Sequence, residues 1–94
     1  MDALIAGNIE GIRRISREHG ARAIRVFGSR ARGMGAPGSD LDLLVDLDAG
    51  RDLLDLVAIK QDLEALLGCP VDVVTEPALS PYLREQILRE AQPL

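Results

Sequence analysis

Three aspartates occupy positions that an apolar strand has little reason to give to acids. Asp40 and Asp42 flank Leu41 in the run Asp40-Leu41-Asp42-Leu43-Leu44-Val45-Asp46-Leu47, and Asp72 interrupts Val71-Asp72-Val73-Val74. An isolated carboxylate in a half-buried strand is strongly disfavoured unless it takes up a proton or meets a cation. Carboxylates at i and i+2 of one strand project side by side. A third on a neighbouring strand completes a hard oxygen cluster suited to magnesium held jointly with substrate phosphates. Two such ions, about 3.5 to 4 Å apart, form a clamp for phosphoryl transfer. They neutralise a triphosphate, fix its α-phosphate for in-line attack by an acceptor hydroxyl, and stabilise the departing pyrophosphate. No nucleophilic side chain is needed.

Gly28-Ser29 supplies the complementary part. Glycine lets backbone approach a phosphate closely, and the serine hydroxyl and following amides donate hydrogen bonds, so the pair reads as a phosphate cradle without a Walker lysine. Taken singly, these features have ordinary explanations: Gly-Ser turns are common, and Asp-Leu-Asp can be an exposed edge with its acids in water. Their joint spacing is what points to a site: Gly28-Ser29, ten residues, Asp40-Leu41-Asp42, then Asp72.

The elements that must position these residues follow from periodicity. Ile5, Ile9, Ile12 and Ile15 predict an amphipathic helix over roughly residues 3 to 19, closed by Gly20. Ala23-Ile24-Arg25-Val26-Phe27 reads as a strand that Gly28-Ser29 ends, followed by a tight turn and one helical turn. The Gly- and Pro-rich stretch Gly33 to Ser39 is a loop. In the next strand, Asp40 and Asp42 share one face while Leu41, Leu43 and Val45 take the other. Asp52 caps a helix whose stripe is Leu53, Leu56, Ile59, Leu63 and Leu66 or Leu67, ended by Gly68. Pro70 to Thr75 is a short strand, and Ser80-Pro81 opens a last helix through about Ala91, docked by Leu83, Ile87 and Leu88. The expected architecture is α/β (α+β): a three-stranded mixed sheet with about four helices packed against it.

Composition narrows the function. Ninety-four residues make one domain, 1–94. One Phe and one Tyr leave an aliphatic core and exclude base stacking as a main binding mode. The lone Cys69 forms no internal disulfide and packs as a small apolar group, which fits a reducing cytoplasm. The start, Met1-Asp2-Ala3-Leu4-Ile5, lacks a signal-peptide pattern, and no stretch approaches the roughly 20 apolar residues of a membrane span. A soluble cytoplasmic protein is expected. The net charge of −4 divides into +4 over residues 1 to 39 (seven Arg, three acids) and −8 over residues 40 to 94 (four bases, twelve acids). An acidic whole argues against direct nucleic-acid binding. The arginines at 13, 14, 17, 22 and 25 read as a solvated face, whereas Arg30 and Arg32 gain meaning from the neighbouring Gly-Ser. His19 sits where a helix dipole favours it and receives no catalytic role. Asp46, Asp48, Asp52, Asp55 and Asp62 read as strand-end, capping and solvated acids, with Asp46 the first candidate for an exception.

Gly28-Ser29-Arg30-Ala31-Arg32-Gly33 together with Ser39-Asp40-Leu41-Asp42-Leu43-Leu44-Val45 closely resembles the minimal nucleotidyltransferases of the DNA polymerase beta superfamily, the small antitoxin partners of HEPN proteins. The resemblance spans nearly the whole chain. It implies the nucleotidyltransferase fold, with Asp40 and Asp42 as metal ligands and Asp72 as a third carboxylate serving as ligand or general base. Gly28 and Ser29 would contact the triphosphate, and Arg30 would reach phosphate or partner. It further implies ATP as donor, magnesium as cofactor, and AMP transfer to a tyrosine hydroxyl of a HEPN toxin, silencing that toxin's RNase. Two other readings stay open: a noncatalytic antitoxin that covers its partner, and transfer to a small molecule or an RNA end. Relatives of the last kind carry extra substrate-binding domains, and none is expected here.

Overall fold

The computed structural model describes residues 2–36 and 38–94; Met1, and Pro37 of the expected loop, lie outside the described residues. The Asp2 carboxylate accepts the amides of Leu4 (2.7 Å) and Ile5 (3.4 Å) and so caps α1 (Ala3–Ala6). The single helix expected over residues 3 to 19 is in fact two. Gly7 has poor helix propensity, and the Asn8 side-chain amide donates to the Leu4 carbonyl at 2.8 Å, so the helix closes and restarts as α2 (Ile9–Glu18). Ile5, Ile12 and Ile15 are buried as the pattern requires, and Ile9 is half-buried. His19 ends α2, and Gly20 follows in the left-handed region at φ 86°, turning the chain into β1 (Ala21–Phe27).

β1 is followed without a linker by the short α3 (Gly28–Ala31), then by the loop to β2 (Leu41–Leu47). β1 and β2 run antiparallel, with Ile24 opposite Val45 and Phe27 opposite Asp42. Asp52 caps α4 (Leu53–Leu67) in a reciprocal box with Asp55, a role that replaces the solvated-face reading of Asp55. Gly68, at φ 70°, ends that helix and releases the chain into β3 (Val71–Val74), parallel to β2.

Two expectations at the C-terminal end are corrected. The last helix, α5, spans Arg84–Glu90 and does not begin at Ser80-Pro81; Glu76–Ala78 forms a 3-10 turn, and the Ser80 carbonyl receives the amides of Leu83 (3.0 Å) and Arg84 (2.9 Å) in a turn. Leu83 folds back on Ser80 at three-residue spacing, so the chain after Pro81 closes a tighter turn before it winds into α5. Leu83 is 52 % exposed, while Ile87 and Leu88 are half-buried. The sheet has four strands, in the order β3-β2-β1-β4, because Gln92–Pro93 adds β4 to the free side of β1. A two-residue strand containing Pro shows no alternation to read, and Pro is tolerated there because the strand is at an edge.

The main core lies on one face of the sheet, while Leu44 of β2 is buried on the other. Ile24, Val26, Leu41, Leu43, Val45 and Val71 meet Ile5, Ile12, Ile15, Ile59, Leu63 and Leu67. Cys69 is buried among them as a small apolar side chain. Leu53, expected in the α4 stripe, is exposed, and of the alternatives Leu66 and Leu67 it is Leu67 that enters the core. Among the described residues, no helix is long and apolar enough to cross a membrane.

Candidate active site

With Leu41, Leu43 and Val45 committed to the core, the pleat turns Asp42 to the opposite face of β2. Parallel pairing sets Asp42 in register with Asp72 of β3, so the two carboxylates project from adjacent strands on the same side. Asp40 lies immediately before β2. Asp42 is half-buried, whereas Asp40 and Asp72 are exposed. Burial first, then the charges of Asp72 and Asp40, push the Asp42 carboxyl above the usual carboxylate range.

The first turn of α3 abuts this acid. β1 ends at Phe27, opposite Asp42, and the chain then passes through Gly28 at φ 78°. A Cβ on Gly28 would overlap the Oδ2 of Asp42, so both the backbone angle and the space demand glycine. Ser29 follows, half-buried on α3. The structure thus brings Gly28, Ser29 and Asp42 together at one end of the sheet, with Asp40 and Asp72 close enough to repel Asp42.

This donor set fits a hard divalent cation: three carboxylates whose mutual repulsion a positive charge would relieve, one of them partly desolvated. Asp40, Asp42 and Asp72 are the residues that would hold it. Among the described residues, no three His, Cys, Asp or Glu side chains already form a group able to hold a metal ion.

Arg30, expected at the nucleotide, turns the other way. It is buried, with its Nη1 2.8 Å from Asp2 Oδ2 and its Nε donating to the Ser39 carbonyl at 2.8 Å. The pairing with Asp2 is absent from any local pattern; the only sequence signal is the capping chemistry of Asp2 before Ala3. Arg32 pairs with Glu90 of α5 at 3.2 Å on the surface. His19 lies 2.8 Å from Asp62, away from the carboxylates, in keeping with its having no assigned role. Asp46 lines an open concavity of about 320 Å³ with Arg22, Leu47 and Thr75, at the opposite end of β2 from Asp42. Sequence reasoning also missed Glu76, which contacts Arg84 at 2.6 Å and Arg25 at 4.0 Å, tying the 3-10 turn to β1 and α5.

Comparison with known proteins decides the family. The sequence pattern described as "Nucleotidyltransferase domain" matches residues 9–94. The chain belongs to the nucleotidyltransferase family. It is 43 % identical over 88 residues to a Methanocaldococcus jannaschii protein provisionally named a protein adenylyltransferase, covering 89 % of this chain and 95 % of that protein. It is 42 % identical over 71 residues to the protein adenylyltransferase MntA of Thermococcus cleftensis, covering 76 % and 72 % of the two chains. Among solved structures, this nucleotidyltransferase resembles one provisionally named a minimal nucleotidyltransferase, with TM-score 0.86 and 51 % identity over 100 % of this chain and 97 % of that one. It also resembles a chain from a toxin–antitoxin crystal structure with AMP-PNP, with TM-score 0.77 and 25 % identity over 92 % and 71 % of the two chains. The mixed α/β architecture matches that of a minimal nucleotidyltransferase.

Proposed function

We propose that this nucleotidyltransferase transfers AMP from ATP to a hydroxyl, a tyrosine in our reading, of a HEPN-domain toxin, and so serves as the antitoxin of that pair. The observation that carries the proposal is the register of Asp42 with Asp72 beside the Gly28 turn. Relatives named protein adenylyltransferases support the AMP unit and a protein acceptor, and a toxin–antitoxin relative with an ATP analogue supports the donor and the pairing with a toxin.

In this reading Gly28 and Ser29 receive the triphosphate, glycine by leaving room and serine by donating its hydroxyl. Asp40, Asp42 and Asp72 hold magnesium, two ions in our reading, which when bound supplies charge neutralisation at the phosphates. The acceptor oxygen attacks the α-phosphorus as the bond to the β-phosphate oxygen breaks, and pyrophosphate leaves. Asp72, exposed on β3, serves either as the third ligand or, left free of the metal, as the base that takes the proton from the acceptor hydroxyl. We place the activity in one domain spanning 1–94 and in the cytoplasm, with no membrane and no direct nucleic-acid contact.

A second reading, inhibition by covering the partner without catalysis, draws on the exposed apolar side chains Leu53 (69 %), Leu54 (76 %), Tyr82 (96 %) and Leu83 (52 %). ATP labelled at the α-phosphate separates the two. Label moving to the partner with magnesium, and lost with Asp40→Ala and Asp42→Ala, is the expected result. Inhibition of the partner's RNase undiminished in those variants, with no label in either protein, would favour covering alone.

A further inference from the structure

Among the described residues, Arg30 is the only charged residue that is buried, at 4 % exposure. Desolvating a guanidinium is tolerated only where its donors are engaged, and here they are: Nη1 reaches Asp2 Oδ2 and Nε reaches the Ser39 carbonyl, each at 2.8 Å. The Asp2 amide returns to the Arg30 carbonyl at 3.2 Å, and the other Asp2 oxygen caps α1. The loop leaving α3 wraps over this side chain. Met34 donates to the Ser29 carbonyl at 2.9 Å, and a Cβ on Gly35 would come within 2.7 Å of the Arg30 Cγ.

These contacts join the two halves of the site. Arg30 belongs to α3, the element of Gly28 and Ser29, and the carbonyl it grips is the one immediately before Asp40. We infer that Arg30 is a positioning residue, which sets Asp40 against the Gly28-Ser29 turn by clamping Ser39 and is itself anchored by Asp2. The role rests on the reading of Asp40 as a ligand under the proposed function. It differs from a phosphate contact: the fork is turned into the protein and spent on Ser39 and Asp2. A lysine keeps the charge but cannot serve both partners with one planar fork.

The test compares the unmutated chain with Arg30→Lys, Arg30→Gln and Asp2→Asn, the last keeping an N-cap oxygen for α1. Binding of ATP is followed by calorimetry without metal and across a magnesium series, alongside amide hydrogen exchange and thermal melting without ligands. Arg30→Lys is expected to raise the magnesium needed for half-maximal ATP binding by about 10-fold or more. It should speed exchange in residues 33–36 and 38–41 while leaving metal-free ATP affinity and exchange in α4 unchanged. Asp2→Asn should show the same pattern at smaller size. If Arg30→Lys unfolds the chain, Asp2→Asn and its exchange pattern decide the matter. Unchanged loop exchange and magnesium requirement in folded variants would overturn the positioning role. So would a fall in metal-free ATP affinity, which marks direct phosphate contact. Failure of the unmutated chain to bind ATP with magnesium would instead overturn the functional reading, and is seen before any variant is compared.

Discussion

Gly28 and Asp42 share one small volume, and each constrains what the other position tolerates. Gly28→Ala places a Cβ against the Asp42 carboxylate and forces alanine to φ 78°, a conformation costing about 1 to 2 kcal/mol by itself. We expect its melting temperature to fall by about 5 °C or more and transfer by about 100-fold; melting curves and single-turnover label transfer check both. Asp42 has a further consequence for pH. Its folded pKa is raised by burial and by Asp72 and Asp40, so the fold favours its protonated form. The stability this contributes is present at acid pH and lost as pH rises through the raised value. Asp42→Asn should therefore melt higher than the unmutated, metal-free chain near pH 7, with the difference shrinking towards about pH 4, while transferring no AMP. A lower melting temperature at neutral pH would contradict the electrostatic account. At this scale the sequence was informative where chemistry imposes spacing: Gly28, Ser29, Asp40, Asp42 and Asp72 all fall at one end of the sheet. It pointed Arg30 towards the nucleotide, whereas the inward turn of that side chain depends on Asp2, 28 positions earlier.

The junction between α4 and β3 decides where Asp72 stands. Glu64 of α4 accepts the Val71 amide at 3.0 Å and Lys60 Nζ at 3.1 Å, and the same Nζ donates to the Val71 carbonyl at 2.7 Å. The residue next to Asp72 is thus held from both its amide and its carbonyl. The Val71 amide, then Lys60, hold the Glu64 carboxyl below its ordinary 4.5. Its stabilisation is present above that ordinary value and lost as pH falls through the lowered one. Glu64→Gln, which keeps an acceptor but no charge, should lose less melting temperature than the unmutated chain on acidification below about pH 5. Parallel acid melts of the two proteins check it. Elements with a long uniform pattern were legible: α4 from its leucines and caps, and β2 from its alternation. Elements set by local competition were not. Asn8 divides the first helix by binding the Leu4 carbonyl, and β4 exists because β1 offers it an edge.

Across the whole molecule, the sheet separates two tasks. One face is sealed by α2 and α4 over an aliphatic core, and the other carries Asp42 and Asp72 outward. That division lets a chain of 94 residues keep a core and still hold carboxylates at its surface. The fold class was legible because apolar alternation and helical stripes fix which face of each element is buried. The surface a partner would use was not, because exposed residues such as Leu53, Leu54 and Tyr82 carry no periodic constraint. The most direct test of the central claim is the intact mass of a HEPN partner after incubation with this chain, ATP and magnesium. The account predicts a gain on the order of 330 Da per transferred AMP, absent with Asp40→Ala and Asp42→Ala. An unchanged partner mass, with its RNase inhibited equally by the unmutated and variant chains, would contradict it.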